Sequence, residues 1–307
     1  MTLKPSESLL VSDEEEGLRI DQLLSNRFPD YSRSYFQSLI EESHVLLNGS
    51  PIKKRLRPQK DDEIEVSFQL PPQIDLQPED IPLDILFEDD HLIAVNKPPG
   101  MVVHPAPGAY EHTFAAALLH HCKTIDRDQF SPLRPGIVHR LDKETSGVLI
   151  AAKTIEAHQK VSKQFAEREL EKIYLAITCG PPKEGILSAP IKRHPVKRKQ
   201  MCIDENGKEA ISEFSILRKA GELCLVQVKL HTGRTHQIRV HLKDLKAPVL
   251  GDSTYGSESL NRKYGAKRQL LHAQTLRLTH PITGCLLELT AECSSDMKNF
   301  IDQIDRT

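Results

Sequence analysis

The chain has 307 residues, of which 38% are hydrophobic and 27% charged, and its formal net charge is −2. That length gives one large domain or a large and a small one, and the composition is that of a globular protein in water. No apolar run is long enough to span a bilayer, and Asp13-Glu14-Glu15-Glu16 stands where a secretory signal would be basic and then apolar, so a cytoplasmic protein without membrane attachment is expected.

Residues 1–16 are polar and acidic and read as a tail. A small unit runs over 17–68. Ile20, Leu23, Leu24 and Phe28 fall at helical spacing, and Pro29 breaks the pattern. Ser32 is placed to cap a second helix whose apolar face is Tyr35, Phe36, Leu39 and Ile40. Val45-Leu46-Leu47 leads into Asn48-Gly49, a strong hairpin signal. After Asp61-Asp62, the residues Ile64, Val66 and Phe68 alternate with polar ones as in a half-buried strand. Residues 69–82 hold four prolines and three acids and read as an extended, semi-rigid linker.

The larger unit occupies 83–307. Ile85-Leu86-Phe87 and Leu92-Ile93-Ala94-Val95 read as strands, followed by the turn Asn96-Lys97-Pro98-Pro99-Gly100. Thr113 to Cys122 and Ile155 to Glu169 read as helices, the second with Val161, Phe165 and Ala166 facing inward. Ile173 to Thr178, Leu223 to Leu230 and Ile238 to Leu242 read as strands. Strands outnumber helices without regular interleaving, so the class is α+β with a largely antiparallel sheet.

One run concentrates chemistry. His139-Arg140-Leu141-Asp142 is continued by Lys143-Glu144-Thr145-Ser146-Gly147 and then by an apolar strand. A turn feeding a buried strand can aim a carboxylate at a substrate. A surface salt bridge would look the same. His231-Thr232-Gly233-Arg234-Thr235-His236-Gln237-Ile238-Arg239-Val240-His241 is a second such segment. Read as a strand, it puts Arg239 and His241 on one face. An inward arginine is costly without a buried carboxylate partner, and Asp142 is the natural candidate; an outward arginine needs none. Tyr174, in Lys172-Ile173-Tyr174, suits a core position or a surface for stacking a planar ligand.

The near-neutral total argues weakly against a nucleic-acid partner, but the distribution argues for one. Lys53-Lys54-Arg55-Leu56-Arg57 and Lys192-Arg193-His194-Pro195-Val196-Lys197-Arg198-Lys199 are basic clusters, while acid collects at 13–16, 61–65 and 79–90. A lysine-rich edge that blocks aggregation is the competing explanation. The six cysteines form no Cys-x-x-Cys pair and read as free thiols. His231, His236 and His241 are five apart, not the spacing that puts two ligands on one helix face, so no metal is expected.

Five segments in order resemble the RluA family of RNA pseudouridine synthases: Asn96-Lys97-Pro98-Pro99-Gly100 with Val103-His104-Pro105, His139 to Gly147, Lys172-Ile173-Tyr174, Gly233 to His241, and Gln269-Leu270-Leu271-His272-Ala273. Within that family the likeness is to the RluD-type large-subunit enzymes, through Pro29 to Ser34 and Arg193 to Arg198. The unit at 17–68 is similar to the alpha-L RNA-binding module named for ribosomal protein S-four. The resemblance covers the chain from Gly17 onward. Glu144 and Ser146 depart from the pattern, at positions to which it assigns no chemical role.

The resemblance implies a pseudouridine synthase fold on a mixed, largely antiparallel sheet with flanking helices. It implies isomerisation of uridine in 23S ribosomal RNA, free or within a large-subunit precursor, by a monomer that uses no cofactor and binds neither DNA nor membrane. Asp142 is then the essential carboxylate, acting on sugar or base by a route the residues leave open. Arg239 pairs with it and keeps it charged and aimed. Tyr174 stacks on the flipped uracil and helps remove its C5 proton. Arg140 fills the gap left in the RNA, and Leu271 lines the pocket. His139 and Lys97 support the site or touch RNA. Lys53, Lys54, Arg55, Arg57, Arg193, Lys197 and Arg198 contact phosphates. Two other classes compete: a ribosome-assembly factor whose task is RNA binding, and a carboxylate hydrolase, which lacks a second acid at a telling place.

Overall fold

In the computed structural model, which describes residues 6–306 except 30, 32, 69–75, 107–108 and 127–128, the chain divides into two units, Met1–Ile74 and Asp75–Thr307. The first unit opens with β1 (Glu7–Leu10), then α1 (Ile20–Arg27), α2 (Arg33–Glu41), β2 (Val45–Leu47), β3 (Ser50–Pro51) and β4 (Glu63–Val66). The sheet order is β1-β4-β2-β3. Helical spacing brings Ile20, Leu23, Leu24, Phe36, Leu39 and Ile40 onto Val45, Ile64 and Val66 in one small core.

One expectation changes here. The acidic tail is in part a structured edge: β1 pairs antiparallel with β4, and Val11 is buried. Its acids are engaged, Glu15 with Arg27 and Asp13 with Lys60, so the apolar Leu9 and Val11, not the acid content, decide the local structure. Ser32, the expected cap of α2, and residues 69–75 of the expected linker lie outside the described residues.

The second unit begins with β5 (Ile85–Glu88) and β6 (Leu92–Lys97), followed by α3 (Phe114–His121), β7 (Ser146–Ala152) and α4 (Ile155–Glu167). Next come β8 (Glu171–Cys179), β9 (Gly185–Ser188), the hairpin β10 (Ile191–Arg193) and β11 (Met201–Ile203), β12 (Ile211–Ala220) and β13 (Leu223–Leu230). The chain ends with α5 (Gln237–Asp244), α6 (Glu258–Tyr264), β14 (Leu271–Thr279), β15 (Leu286–Thr290) and α7 (Ser295–Asp305).

The large sheet runs β5-β6-β7-β14-β8-β13-β12-β9, with β15 on β14. The β7–β14 pair is parallel and the others are antiparallel, so the sheet is mixed and largely antiparallel. Strands β6 and β7 are apolar without alternation because both faces are covered. Ile93, Val95, Leu149 and Ala151 meet α3, while Leu92, Ala94, Val148 and Ile150 meet α4. Helix α4 stops at Glu167, two residues short of expectation, because Arg168 takes the left-handed conformation; Ala166 is exposed, not inward. Among the described residues, no helix is long and apolar enough to cross a membrane.

The third difference matters most for the site. Ile238 to Leu242, expected as a strand, lies in helix α5, which starts from His236 in the left-handed conformation. Gln237 to Leu242 are all buried, because the helix is surrounded by other elements. A short helix buried on all sides shows no polar stripe, so alternation of Ile238, Val240 and Leu242 mimics a strand. Arg239 and His241 therefore point in different directions.

Candidate active site

Asp142 lies in the loop between α3 and β7, and the loop is tied at both ends. On its entry side, the His139 ring stacks on Phe165 of α4 at 4.7 Å between centroids and accepts a hydrogen bond from the Ile150 N–H at 3.1 Å. Burial pulls His139 down to about 3, so it stays neutral. Leu141 enters the core beneath α3. On the exit side, Thr145 N–H donates to the Asp142 carbonyl at 3.1 Å, closing a turn. Lys97 Nζ and Gly100 N–H both donate to the Lys143 carbonyl. Arg268 donates to the Glu144 carbonyl, Gln269 to Thr145 Oγ1, and Ser146 Oγ bonds His272 Nδ1. Gly147 follows Ser146 in the parallel contact with β14, opposite Ala273. Its φ is 111°, and a Cβ there would collide with the Ala273 carbonyl oxygen, so this approach needs glycine.

Helix α5 supplies the countercharge. Arg239 Nη1 donates to Asp142 Oδ2 at 2.9 Å. Its other edge grips Asp252, Nε to Oδ2 at 2.7 Å and Nη2 to Oδ1 at 3.0 Å. Side-chain exposure is 6% for Arg239, 0% for Asp252 and 21% for Asp142, so one buried guanidinium bridges a buried acid and an accessible one. Burial alone would lower the Arg239 pKa, but Asp252 and then Asp142 raise it. Burial alone would raise Asp252, yet Arg239 and the N–H groups of Tyr255 and Thr254 hold it below the ordinary carboxylate range.

Two further side chains complete this corner. His236 Nε2 lies 3.8 Å from Asp142 Oδ2, and its Nδ1 is 2.9 Å from the Tyr255 hydroxyl. Tyr255 accepts a bond from Met201 N–H at 2.7 Å, and its ring lies 5.1 Å from the Arg239 guanidinium. The loop end of the β10–β11 hairpin, where Met201 pairs with Arg193, is thereby fastened to the arginine that holds Asp142. Burial lowers the His236 pKa against the attraction of Asp142.

A cleft of about 380 Å³, open to solvent, is lined by Arg140, Asp142, Tyr174, Arg239, Ile238 and Leu271, among others. Tyr174 on β8 and Leu271 at the start of β14 are neighbours across the sheet, where β8 register sets Tyr174 opposite Ala273. Burial, and next the charge of Asp142, push the Tyr174 hydroxyl well above its usual range, so the ring stays a neutral phenol. Arg140 is exposed at the rim, its Nη1 3.5 Å from His104 Nε2.

The sequence-predicted residues thus separate into groups. Asp142, Tyr174, Arg239, Arg140 and Leu271 converge on one cleft. His139 does not line it and packs instead on α4. Lys97 does not line it either: it is buried, and its Nζ donates to the carbonyls of Pro98, Met101 and Lys143 at 2.7, 3.1 and 3.1 Å. Burial pulls its amino group to about 7, while three acceptors match the three protons of an ammonium. Arg193, Lys197 and Arg198 sit on the β10–β11 hairpin and are exposed, with Arg193 donating to the Arg198 carbonyl at 2.6 Å. In the first unit, Lys53 to Arg57 occupy the β3–β4 loop; Lys53 and Arg55 are exposed, Lys54 pairs with Glu41, and Arg57 bonds the Gly17 carbonyl.

Asp252 and Tyr255 belong to the site but were not singled out, and His236 was weighed only as a metal ligand. The signal for Asp252 was the argument that a buried Arg239 needs a buried acid; Asp142 meets only half of it. His231, His236 and His241 have separate settings, at Glu213, at Asp142 with Tyr255, and at Ser212 with Ala189. Among the described residues, Glu88, His121 and Cys122 bring three potential metal donors together, but Lys153 already pairs with Glu88.

Comparison with known proteins agrees with this geometry. Residues 91–244 match the family model described as RNA pseudouridylate synthase, and residues 18–64 match the S4 domain. An uncharacterized RNA pseudouridine synthase of Chlorobaculum parvum is 43% identical over 97% of each chain. Ribosomal large subunit pseudouridine synthase D of Pasteurella multocida is 38% identical, covering 94% of this chain and 91% of that protein. Among solved structures, human RNA Pseudouridylate Synthase Domain Containing 4 superposes with a TM-score of 0.57 at 27% identity, covering 72% of this chain and 92% of that one.

Proposed function

The chain belongs to the RNA pseudouridylate synthase family, and from that premise we propose that it isomerises specific uridines of large-subunit (23S) ribosomal RNA to pseudouridine, with Asp142 as the reacting carboxylate. The observation that carries the proposal is the accessible Asp142 carboxylate, bonded to buried Arg239 and facing Tyr174 and Leu271 across one cleft. The N-glycosidic bond breaks, the uracil turns, and its C5 bonds to the same sugar carbon; the C5 proton leaves and N1, released from the sugar, takes one up. Substrate and product have the same atoms, so the reaction consumes no cofactor. A closed apolar wall is needed to keep the detached base, and Leu271, Ile238 and the Tyr174 ring provide one.

A base within a helix has to be flipped out to reach this cleft. Arg140, exposed at the rim, is placed to fill the gap the nucleotide leaves. Tyr174, held as a neutral phenol, suits stacking on uracil better than service as a strong base. Arg239 orients Asp142, and Asp252 orients Arg239. We assign residues 83–307 to catalysis, the unit before the 69–82 linker to RNA binding, and the exposed cations at 53–57 and 193–198 to phosphate contacts. The match to the S4 domain and the rRNA enzymes among the relatives support that division. The enzyme acts as a monomer in the cytoplasm.

The test is tritium release from 23S rRNA carrying 5-tritiated uridine. Wild type should release tritium, and Asp142→Asn should not; full activity in Asp142→Asn removes Asp142 from the chemistry. Mapping pseudouridines in rRNA from a deletion strain beside its parent identifies the target sites, and an unchanged map overturns the rRNA substrate.

A further inference from the structure

Lys172 lies two residues before Tyr174 on β8, so the two side chains share a face of the strand. Lys172 is half-buried, yet its amino group makes no hydrogen bond or ion pair with any described residue. Its neighbours are a ring and two cations. The Phe165 ring is 6.0 Å from Nζ. A Cβ on Gly233 would lie 3.9 Å from Nζ, and the next residue, Arg234, lines the cleft. Burial first, then the charges of Arg168 and Arg234, pull Lys172 down to about 8.

The local acids are committed elsewhere. Glu171 pairs with Lys229 and Arg277. Glu209 pairs with Arg168, and its backbone carbonyl takes Arg234 Nε at 2.9 Å. Among the described residues, the other cations withdrawn from solvent have oxygen partners: Lys97 three carbonyls, Lys153 the Glu88 carboxylate, Arg239 two aspartates and Arg268 Asp296. An ammonium with no acid of its own, repelled by the charges of Arg168 and Arg234, is unfavourable in the free protein, and an anion relieves it.

We propose that Lys172 and Arg234 form the seat of one RNA phosphate, at the β8 rim of the cleft, next to the flipped nucleotide. This rests on the reading of the cleft as a uridine site. A diester phosphate offers two charged oxygens, one for the ammonium and one for the guanidinium Nη groups that Glu209 leaves unused. The seat differs from the exposed cations at 53–57 and 193–198 in being built beside the reacting group. It would fix the backbone of the nucleotide whose base lies on Tyr174.

The experiment measures binding of a stem-loop of the 23S target sequence, in the Asp142→Asn background so that the RNA is not converted. Lys172→Gln should weaken binding on the order of tenfold and reduce the slope of log affinity against log salt by about 1. Lys172→Arg should restore both. The facing groups are Arg168 at the end of α4, Arg234 after β13, Glu209 on Arg168, and His139, which stays neutral down to about 3. Lys172 is thus the one that titrates near pH 8. Binding needs its protonated form, so affinity of the lysine protein should fall relative to Lys172→Arg as pH rises from 7 to 9. Equal affinity and salt slope in Lys172→Gln overturn the seat, as does a loss that Lys172→Arg does not restore. If wild type releases no tritium, the uridine reading itself fails, which is a separate outcome.

Discussion

Replacing Asp252 by asparagine tests the link between stability and catalysis at its centre. Asp252 is wholly buried and holds one edge of Arg239, itself 6% exposed, with both of its oxygens. Asparagine keeps the shape but removes the charge, and its amide N–H then faces one guanidinium N–H. Breaking a buried pair by removing one partner costs about 3–5 kcal/mol. Asp142 still holds Nη1 at 2.9 Å, so the lower figure of about 3 kcal/mol is expected. For a unit of this size each kcal/mol moves Tm by roughly 2–4 °C, giving a drop of about 6–12 °C. Asp142→Asn is the control. It leaves the bidentate Asp252 pair intact and removes a charge that is 21% exposed, so its Tm should stay within about 3 °C of wild type while turnover vanishes. Turnover in Asp252→Asn should fall on the order of 100-fold, because a misaimed Arg239 misplaces the reacting carboxylate. The pH sign is fixed by the depressed Asp252 pKa. The stability it contributes is present above the unfolded value near 4 and is lost as pH falls, so the gap between wild type and variant should narrow in acid. Melting followed by circular dichroism, with tritium release on the same samples, decides the matter. A Tm within 2 °C of wild type together with turnover within twofold would refute the claim that Asp252 positions Arg239.

Three further outcomes are expected. Lys97→Met strips the donor from three carbonyls, at about 1–3 kcal/mol for each left unsatisfied, and loosens the loop carrying Asp142; a melting temperature and kcat both equal to wild type would count against that role. His139→Phe should lower stability at pH 7 but flatten its loss in acid. The folded pKa is depressed to about 3, so the unfolded chain binds more protons between that value and about 6.5, and wild type loses up to about 1.4 kcal/mol per pH unit there through this residue. Denaturant titrations at pH 7, 6 and 5 measure the two slopes, and parallel slopes contradict the assignment. Arg140→Ala should reduce turnover on structured rRNA more than on a short unstructured oligonucleotide, and an equal loss on both removes the wedge role.

Much of the architecture was legible because burial imposes patterns on local sequence. Continuous apolar runs at 92–95 and 148–152 mark strands covered on both faces, as α3 and α4 cover β6 and β7. Thr113 and Thr154 cap their helices through their hydroxyl oxygens. The pattern failed where surroundings override it. Helix α5 is buried from Gln237 to Leu242, so that stretch lost the polar stripe that distinguishes a helix from a strand. The first residues looked like a solvated tail because four adjacent acids outweighed Leu9 and Val11, which pack into the core of the first unit.

The ordered segments around His139-Arg140-Leu141-Asp142 were enough to name the reacting carboxylate and to require a cation for it, since a motif fixes residue types and their order. The partners were decided only by folding. Arg239 is 97 residues from Asp142 and 13 from Asp252, and both acids bond it. Among 43 acidic residues, no local pattern tells which one will lie buried against a given arginine. That depends on desolvation. Charges withdrawn from water must find each other in space, and the parallel contact of β7 with β14 and the burial of α5 bring these three together. The same condition leaves Lys172 without an acid at the rim of the cleft, where an anion has room to complete it.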